Sequence, residues 1–142
     1  MLHRDWKLDR LATIDVLANV PRRTLRHVRT LTTLVHLPEG QVLWHQGDRA
    51  QEAFMLLGGE LELSWNGSPF DIVRPGVVVG GVGLAEAAPR LTTAKTAGPV
   101  EALVMSRSEY RQLLHLCPEV AGRVQAGHTA RFSALRSAAA TA

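Results

Sequence analysis

The sequence predicts a mainly β fold, a β-sandwich or barrel with helices before and after it. Three observations support this fold class. Apolar residues recur every three or four positions over about residues 8–34, short apolar runs separated by Gly and Pro fill about residues 35–105, and helical spacing returns over about residues 106–137. The 142 residues suit one domain, residues 1–142, and leave no room for a second domain of ordinary size.

Two helices are predicted in the first stretch. The apolar positions at helical spacing are Leu8, Leu11, Ile14 and Leu17, then Leu25, Val28 and Leu31. Pro21 separates the two helices, because proline suits the first turn of a helix and interrupts its interior. The opposite face of the second helix carries four arginines, Arg22, Arg23, Arg26 and Arg29. A solvated basic face is the simpler interpretation, and a docking or nucleic-acid patch is the alternative.

The middle stretch is predicted to form short strands joined by tight turns. Residues 60–65 alternate strictly between apolar and polar side chains, which is typical of a half-buried strand. Asn66-Gly67 follows as a hairpin turn, and Phe70 to Val73 supply the returning strand. Further strands are expected at residues 41–45, 53–57, 91–96 and 100–105.

The last stretch is predicted to contain two helices. Ser106 or Ser108 can cap the first, and Pro118 begins a second that runs towards Ser137. The second helix has an imperfect apolar stripe, Val120, Val124, Phe132 and Leu135. Gly122 and Gly127 each cost about 1 kcal/mol of helix propensity relative to Ala. We therefore expect this final helix to move more readily than the others.

Composition excludes several classes of protein. Cys117 is the single cysteine and cannot close an intramolecular disulfide, and no apolar run approaches the roughly 18 residues that cross a bilayer. We therefore expect a cytoplasmic protein without a membrane partner. We also expect a bacterial source. The net charge of +3 is too small to make nucleic acid the default partner. The histidines lack metal-ligand spacing and no nucleophile and base stand in a catalytic pattern, so we expect neither a metal site nor an enzyme.

The stretch GGVGLAEAAPRLTT at residues 80–93 carries the strongest functional signal. Three glycines near its start allow the backbone to approach a ligand closely, Gly80, Gly81 and Gly83. Residues 82–88 can then form one helical turn whose free N–H groups attract an anion. Arg90 is the only basic residue among residues 75–94, and a guanidinium can donate charge-assisted hydrogen bonds to phosphate. The stretch predicts a phosphate site centred on Arg90.

These residues resemble the phosphate-binding cassette of the cyclic nucleotide-binding domain family, which includes catabolite activator proteins, regulatory subunits of cAMP-dependent kinase and cyclic-nucleotide-gated channels. The family's cassette reads roughly Phe-Gly-Glu-Leu-Ala-Leu, four variable residues, then Pro-Arg-x-Ala-Thr. The chain has VGGVGL at residues 79–84, four further residues and PRLTT at residues 89–93, with no gap. Other family motifs stand in order, LPEGQVL at residues 37–43, QGDRA at 46–50 and AFMLLGGEL at 53–61.

The resemblance implies an eight-stranded β jelly-roll barrel, similar to the double-stranded β-helix of cupins, with N-terminal and C-terminal helices. It also implies that Arg90 and backbone amides at the cassette start hold the cyclic phosphate, and that the C-terminal helix closes over the base. The ligand-binding positions carried over are Gly80, Gly81, Val82, Gly83, Leu84, Arg90, Thr92 and Phe132. For Phe132 and Leu135, packing or a dimer seam is the alternative to a lid. No cofactor is expected beyond the ligand, cAMP or cGMP.

The chain departs from the family at one position, because Gly81 stands where the family has a glutamate that accepts a hydrogen bond from the ribose 2′-hydroxyl. This predicts retained phosphate capture and ribose recognition weakened by roughly ten- to a hundredfold. Two hypotheses follow. One is a stand-alone cAMP-type sensor that signals to a protein effector through its C-terminal helix. The other is a degenerate fold without ligand that serves protein interaction or dimerisation, with the C-terminal helix as a homodimer seam.

A complete transcription regulator is not expected. Such regulators need a helix-turn-helix region of some tens of residues after the long helix, and this chain ends at Ala142. The sequence therefore does not favour direct DNA binding.

Overall fold

The computed structural model describes residues 5–141, with side chains up to Ser133. Eight strands lie between helical segments. The strands are β1 (Thr33–Leu37), β2 (Val42–Trp44), β3 (Glu52–Gly58), β4 (Leu61–Trp65), β5 (Ser68–Val73), β6 (Val78–Val79), β7 (Thr93–Thr96) and β8 (Val100–Ser106). The helices are α1 (Trp6–Leu11), α2 (Arg22–Arg29), α3 (Gly81–Glu86), α4 (Arg107–Leu116) and α5 (Pro118–Thr141), and a 3-10 turn spans Asp15–Leu17.

The strands form two four-stranded antiparallel sheets, in the orders β1-β8-β3-β6 and β2-β7-β4-β5. Apolar side chains from both sheets meet in one cluster, which includes Phe54 and Leu56 of β3, Leu61 and Leu63 of β4, and Ala102 of β8. This is the predicted jelly roll with eight strands. It differs from the predicted barrel in one respect, because the two sheets are not hydrogen-bonded to each other into a closed cylinder.

The helices cover the outer face of the β1-β8-β3-β6 sheet. Successive side chains of a strand point to opposite faces, so Phe54 and Leu56 face the inter-sheet core while Met55 and Leu57 face the helices. The helical cluster buries residues of α1, α2, α4 and α5 against these strands. Strand β3 is therefore buried on both faces, which explains its nearly continuous apolar sequence.

The N-terminal stretch differs from the prediction of two helices over residues 8–34. Helix α1 ends at Leu11, and Ile14 and Leu17, expected in the same helix, lie beyond that end. The Asp15 amide donates to the Gly76 carbonyl at 2.8 Å, a tertiary contact that replaces a helical hydrogen bond. Leu34, expected at a helix end, belongs to β1. Apolar spacing predicted burial at these positions but not their local conformation.

Elsewhere, local sequence patterns correctly predicted where strands and helices begin or end. Asn66 and Gly67 have φ of 51° and 81° and join β4 to β5, which confirms the hairpin turn. Ser106 caps α4, because its side chain accepts from the Glu109 amide while the Glu109 carboxylate accepts from the Ser106 amide. Helix α5 begins at Pro118 as predicted and continues to Thr141.

None of the helices in the described part of the chain is long and apolar enough to cross a membrane.

Candidate ligand-binding site

The residue before α3 is a glycine because an arginine occupies the space beside it. Gly80 has φ of 88°, a left-handed conformation that L side chains rarely adopt. A Cβ at this position would lie 2.6 Å from Nη1 of Arg90 and 3.1 Å from the Glu52 carbonyl oxygen. Helix α3 then runs from Gly81 to Glu86, a little earlier than the turn predicted over residues 82–88. Gly80 thus lets the Arg90 side chain pass against the backbone.

The backbone of Arg90 is fixed by the turn at residues 46–50. The Gly47 amide donates to the Arg90 carbonyl, and the Arg90 amide donates to the Asp48 carbonyl, both at 2.8 Å. The Asp48 carboxylate in turn accepts from the His45 amide at 2.9 Å. Two motifs that are separate in the sequence, QGDRA and PRLTT, therefore meet at the arginine.

The Arg90 side chain is a buried cation held by neutral partners. It is 7% exposed, and Nη1 and Nη2 donate to the carbonyls of Gly80 and Glu52 at 3.0 and 2.5 Å. Its Cζ lies 4.0 Å from the centroid of the Trp44 ring, within cation–π range. Nε is buried and has no hydrogen-bond partner in the described residues, where Arg90 forms no ion pair.

Burial lowers the pKa of Arg90 to about 10, and the nearby charges of Glu52 and Asp48 oppose this shift. The group still carries its charge at neutral pH. In the described residues no carboxylate lies within ion-pair distance of the guanidinium, and a bound anion would offset the cost of burying its charge. The position is therefore suited to an anionic ligand group.

A cleft with two adjoining lobes opens beside the arginine. We call the lobe lined by Arg90, Gly83 and Glu86 the arginine lobe, with a volume of about 90 Å³. The distal lobe, lined by Asp15, Gly81 and Arg123 among others, has about 160 Å³. Both lobes are small beside the roughly 300–1,000 Å³ of ordinary ligand pockets. They share six lining residues, Trp44, Gly80, Val82, Thr92, His128 and Phe132.

Helix α5 forms one wall of the cleft and contacts the rest of the fold at two places. Arg123 donates from Nη1 to the carbonyls of Val16 and Ala18, each at 2.9 Å. Further along, Phe132 stacks on Phe70 of β5 with ring centroids 5.8 Å apart and planes 20° apart. Arg131 pairs with Asp71 of the same strand. The His128 ring lies 4.7 Å from that of Phe132, which completes an aromatic pair facing the cleft.

The structure brings most of the predicted site residues to this cleft. Gly80, Val82, Thr92 and Phe132 line both lobes, Gly81 lines the distal lobe, and Gly83 and Arg90 line the arginine lobe. Leu84 lines neither lobe, because its side chain is buried in the helical cluster. The side chain of Leu135 lies outside the described residues. The binding roles assigned to these positions remain predictions.

The Gly81 position has no room for the glutamate of the family cassette. A Cβ on Gly81 would lie 2.5 Å from Oη and 2.8 Å from Cζ of Tyr110, a buried residue of α4. Burial raises the pKa of Tyr110 to about 12. The tyrosine ring therefore fills the space that a side chain at position 81 would need.

Sequence reasoning missed several residues of the cleft. Trp44 of β2 stacks on Arg90, Glu52 of β3 supplies a carbonyl, and Asp15, Arg123 and Arg131 line the distal lobe. No local pattern marks these positions, because each reaches the cleft through a tertiary contact. Trp44 comes closest to a signal, since it directly follows the motif at residues 37–43.

Across residues 5–141, no three or more His, Cys, Asp and Glu side chains are grouped so that they could hold a metal ion. Cys117 is buried, which raises the pKa of its thiol and leaves it a small apolar core residue.

Comparison with known proteins identifies the class. The profile of the cyclic nucleotide-binding domain matches residues 34–116, more than half of the chain. The chain belongs to the cyclic nucleotide-binding domain family.

Individual relatives agree with this assignment. The acetyltransferase Pat of Mycolicibacterium smegmatis is 29% identical over 110 residues, which are 75% of this chain and 33% of that protein. A mutant of a cAMP-binding acyltransferase from Mycobacterium smegmatis is 26% identical, with a TM-score of 0.72 over 91% of this chain and 41% of that chain. The catabolite activator protein of Thermus thermophilus shares the fold, with a TM-score of 0.72 at 21% identity over 89% of this chain and 60% of that chain. The chain thus spans about a third of the acetyltransferase's length.

Proposed function

We propose that this chain is a regulatory module that binds a cyclic nucleotide of the cAMP type through Arg90. One observation carries the proposal, a buried guanidinium whose Nε has no partner and which forms no ion pair in the described residues. A cyclic phosphate carries a single negative charge and has exocyclic oxygens that accept hydrogen bonds. Family membership supports the same ligand class, as does the relative described as a cAMP-binding acyltransferase.

The proposed pose places the phosphate in the arginine lobe and the base towards α5. Thr92, which is 2% exposed and lines both lobes, is a second polar contact for the phosphate. The aromatic pair of His128 and Phe132 offers a flat surface for a base. The amides at the start of α3 remain further predicted contacts.

Helix α5 is the proposed relay to a protein effector. It contacts the cleft through His128 and Phe132 and contacts the rest of the fold through Arg123 and Arg131. A ligand shifts the position of such a helix only by binding one arrangement more tightly than another. The contact between the base and α5 supplies this difference in affinity, because the contact exists only while the helix covers the cleft.

Calorimetric titration with cAMP and with cGMP tests the proposal. We expect binding to the unmodified chain and a loss of at least roughly tenfold in affinity for Arg90→Ala, since a hydrogen bond to a charged group is worth about 1.5–3 kcal/mol. Arg74→Ala is the matched control, because Arg74 is 75% exposed and lines neither lobe. Equal affinity of Arg90→Ala and the unmodified chain would remove the phosphate role of Arg90.

The second candidate function is a degenerate fold that serves protein interaction or dimerisation. The packing of Tyr110 against Gly81 favours it, because the family's ribose-binding carboxylate cannot occupy that position. No heat with either nucleotide up to millimolar concentration, together with a dimer in sedimentation analysis, would support this function over the first.

A further inference from the structure

We propose that Asp15 is a ligand-binding residue whose carboxylate accepts a hydrogen bond from the sugar hydroxyl of the bound nucleotide. This inference rests on the proposed function and deepens it. It assigns the hydroxyl acceptor to the 3-10 turn at Asp15–Leu17 rather than to α3, where Gly81 has no side chain and Tyr110 leaves no space for one.

Asp15 lies where a ligand can reach it. It is exposed, and it lines the distal lobe together with Gly81 and the start of α3. Within the part of the chain that the structure describes, the Asp15 carboxylate has no hydrogen-bond or ion-pair partner. A free carboxylate on the wall of a cleft accepts hydrogen bonds without first breaking one.

The backbone that presents Asp15 is held from two sides. Its amide donates to the Gly76 carbonyl at 2.8 Å, which joins the turn to the segment before β6. The next residues are held by α5, because Arg123 donates to the carbonyls of Val16 and Ala18 at 2.9 Å. Because its backbone is already held in place, Asp15 loses little conformational freedom when its side chain contacts a ligand.

The positions of Arg90 and Asp15 in the cleft favour a hydroxyl as the ligand group that Asp15 contacts. The guanidinium of Arg90 lies at the arginine lobe, whereas the carboxylate of Asp15 lies at the distal lobe. Arg123 and Arg131 also line the distal lobe, where Arg123 donates to backbone carbonyls and Arg131 pairs with Asp71. The ligand that matches has one anionic end and a neutral hydrogen-bond donor away from it.

The test compares cAMP with 2′-deoxy-cAMP by calorimetric titration of the unmodified chain and of Asp15→Asn. We expect the unmodified chain to prefer cAMP by roughly tenfold or more. Asp15→Asn should weaken cAMP binding by a similar factor and leave the affinity for 2′-deoxy-cAMP within about twofold. Glu39→Gln is the matched control, because Glu39 is an exposed carboxylate that lines neither lobe.

Three results would overturn the inference. Equal changes for both nucleotides in Asp15→Asn would mean that the carboxylate acts on the fold or on the overall charge, not on the hydroxyl. Absence of any preference in the unmodified chain would mean that nothing in the cleft contacts that hydroxyl. If the unmodified chain binds neither nucleotide, or if Arg90→Ala binds both as well as it does, the proposed function fails and the Asp15 assignment fails with it.

Discussion

Arg90 is oriented by backbone carbonyls rather than by carboxylates. Gly80 and Glu52 supply those carbonyls, and Trp44 covers one face of the guanidinium. Neutral partners fix the direction of the side chain without cancelling its charge. The geometry therefore depends on the planar, forked shape of arginine as well as on its positive charge.

Arg90→Lys separates these two contributions. Lysine keeps the charge but cannot donate to both carbonyls while covering the Trp44 ring, so we expect nucleotide affinity to fall by roughly tenfold or more. Calorimetric titration measures the change. Affinity equal to that of the unmodified chain would show that a point charge is sufficient.

Gly81 and Tyr110 form a matched pair whose coupling can be measured. Gly81→Ala places a Cβ 2.5 Å from Oη of Tyr110, and we expect a loss of about 1–3 kcal/mol in the free energy of unfolding. Tyr110→Leu should relieve most of that loss in the double variant. Urea denaturation of both single variants and the double variant forms a double-mutant cycle. Additive effects would contradict the contact, and Gly81→Glu should follow the same pattern.

The buried state of Tyr110 has its own spectroscopic test. Tyr110 is the single tyrosine of the chain, so absorbance at alkaline pH reports on it alone. Its pKa is raised to about 12 from 10.0, so the unfolded chain loses this proton first. The associated stability is present below pH 10 and is lost as the pH rises towards 12. A titration midpoint near 10 in the folded protein would show that the ring is not buried.

At the scale of elements, the sequence correctly predicted the features that depend on interactions between neighbouring residues. The hairpin at Asn66-Gly67 and the capping box at Ser106 depend on residues three or fewer positions apart, so the sequence alone located them. The 3-10 turn depends instead on hydrogen bonds to Gly76 and Arg123, and the latter lies 107 residues from Val16. Asp15 and Trp44 were missed for the same reason, whereas Arg90 was found because it stands in a motif.

Helix α5 contains a glycine whose replacement should stabilise it. Gly122 lies within α5, and no atom beyond its own helical turn lies within 4 Å of an added Cβ, so Gly122→Ala should gain up to about 1 kcal/mol of stability. Gly40→Ala is a control with equal free space but a φ of +81°, and there we expect destabilisation. Thermal denaturation of both variants compares the two effects. A loss of stability in Gly122→Ala would contradict the helical assignment at that position.

At the scale of the whole molecule, the cleft is lined by both sheets, by helix α5 and by the 3-10 turn. Trp44 belongs to the β2-β7-β4-β5 sheet, Val79 to the other sheet, and Phe132 to α5. The 3-10 turn reaches the same cleft through Asp15. A ligand that contacts all four parts adds its binding free energy to the stability of the folded chain as a unit.

Thermal unfolding with and without cAMP tests this linkage. At a free ligand concentration of 100 times Kd, the stabilisation is about 2.7 kcal/mol, which corresponds to a rise in Tm of roughly 5–10 °C for a chain of this size. The rise should continue with the logarithm of concentration and should disappear in Arg90→Ala. A ligand that protected α5 alone would instead split the transition into two steps. A single transition that moves as a whole would show that the two sheets and α5 unfold as one cooperative unit, so that occupancy of the cleft stabilises all of them together.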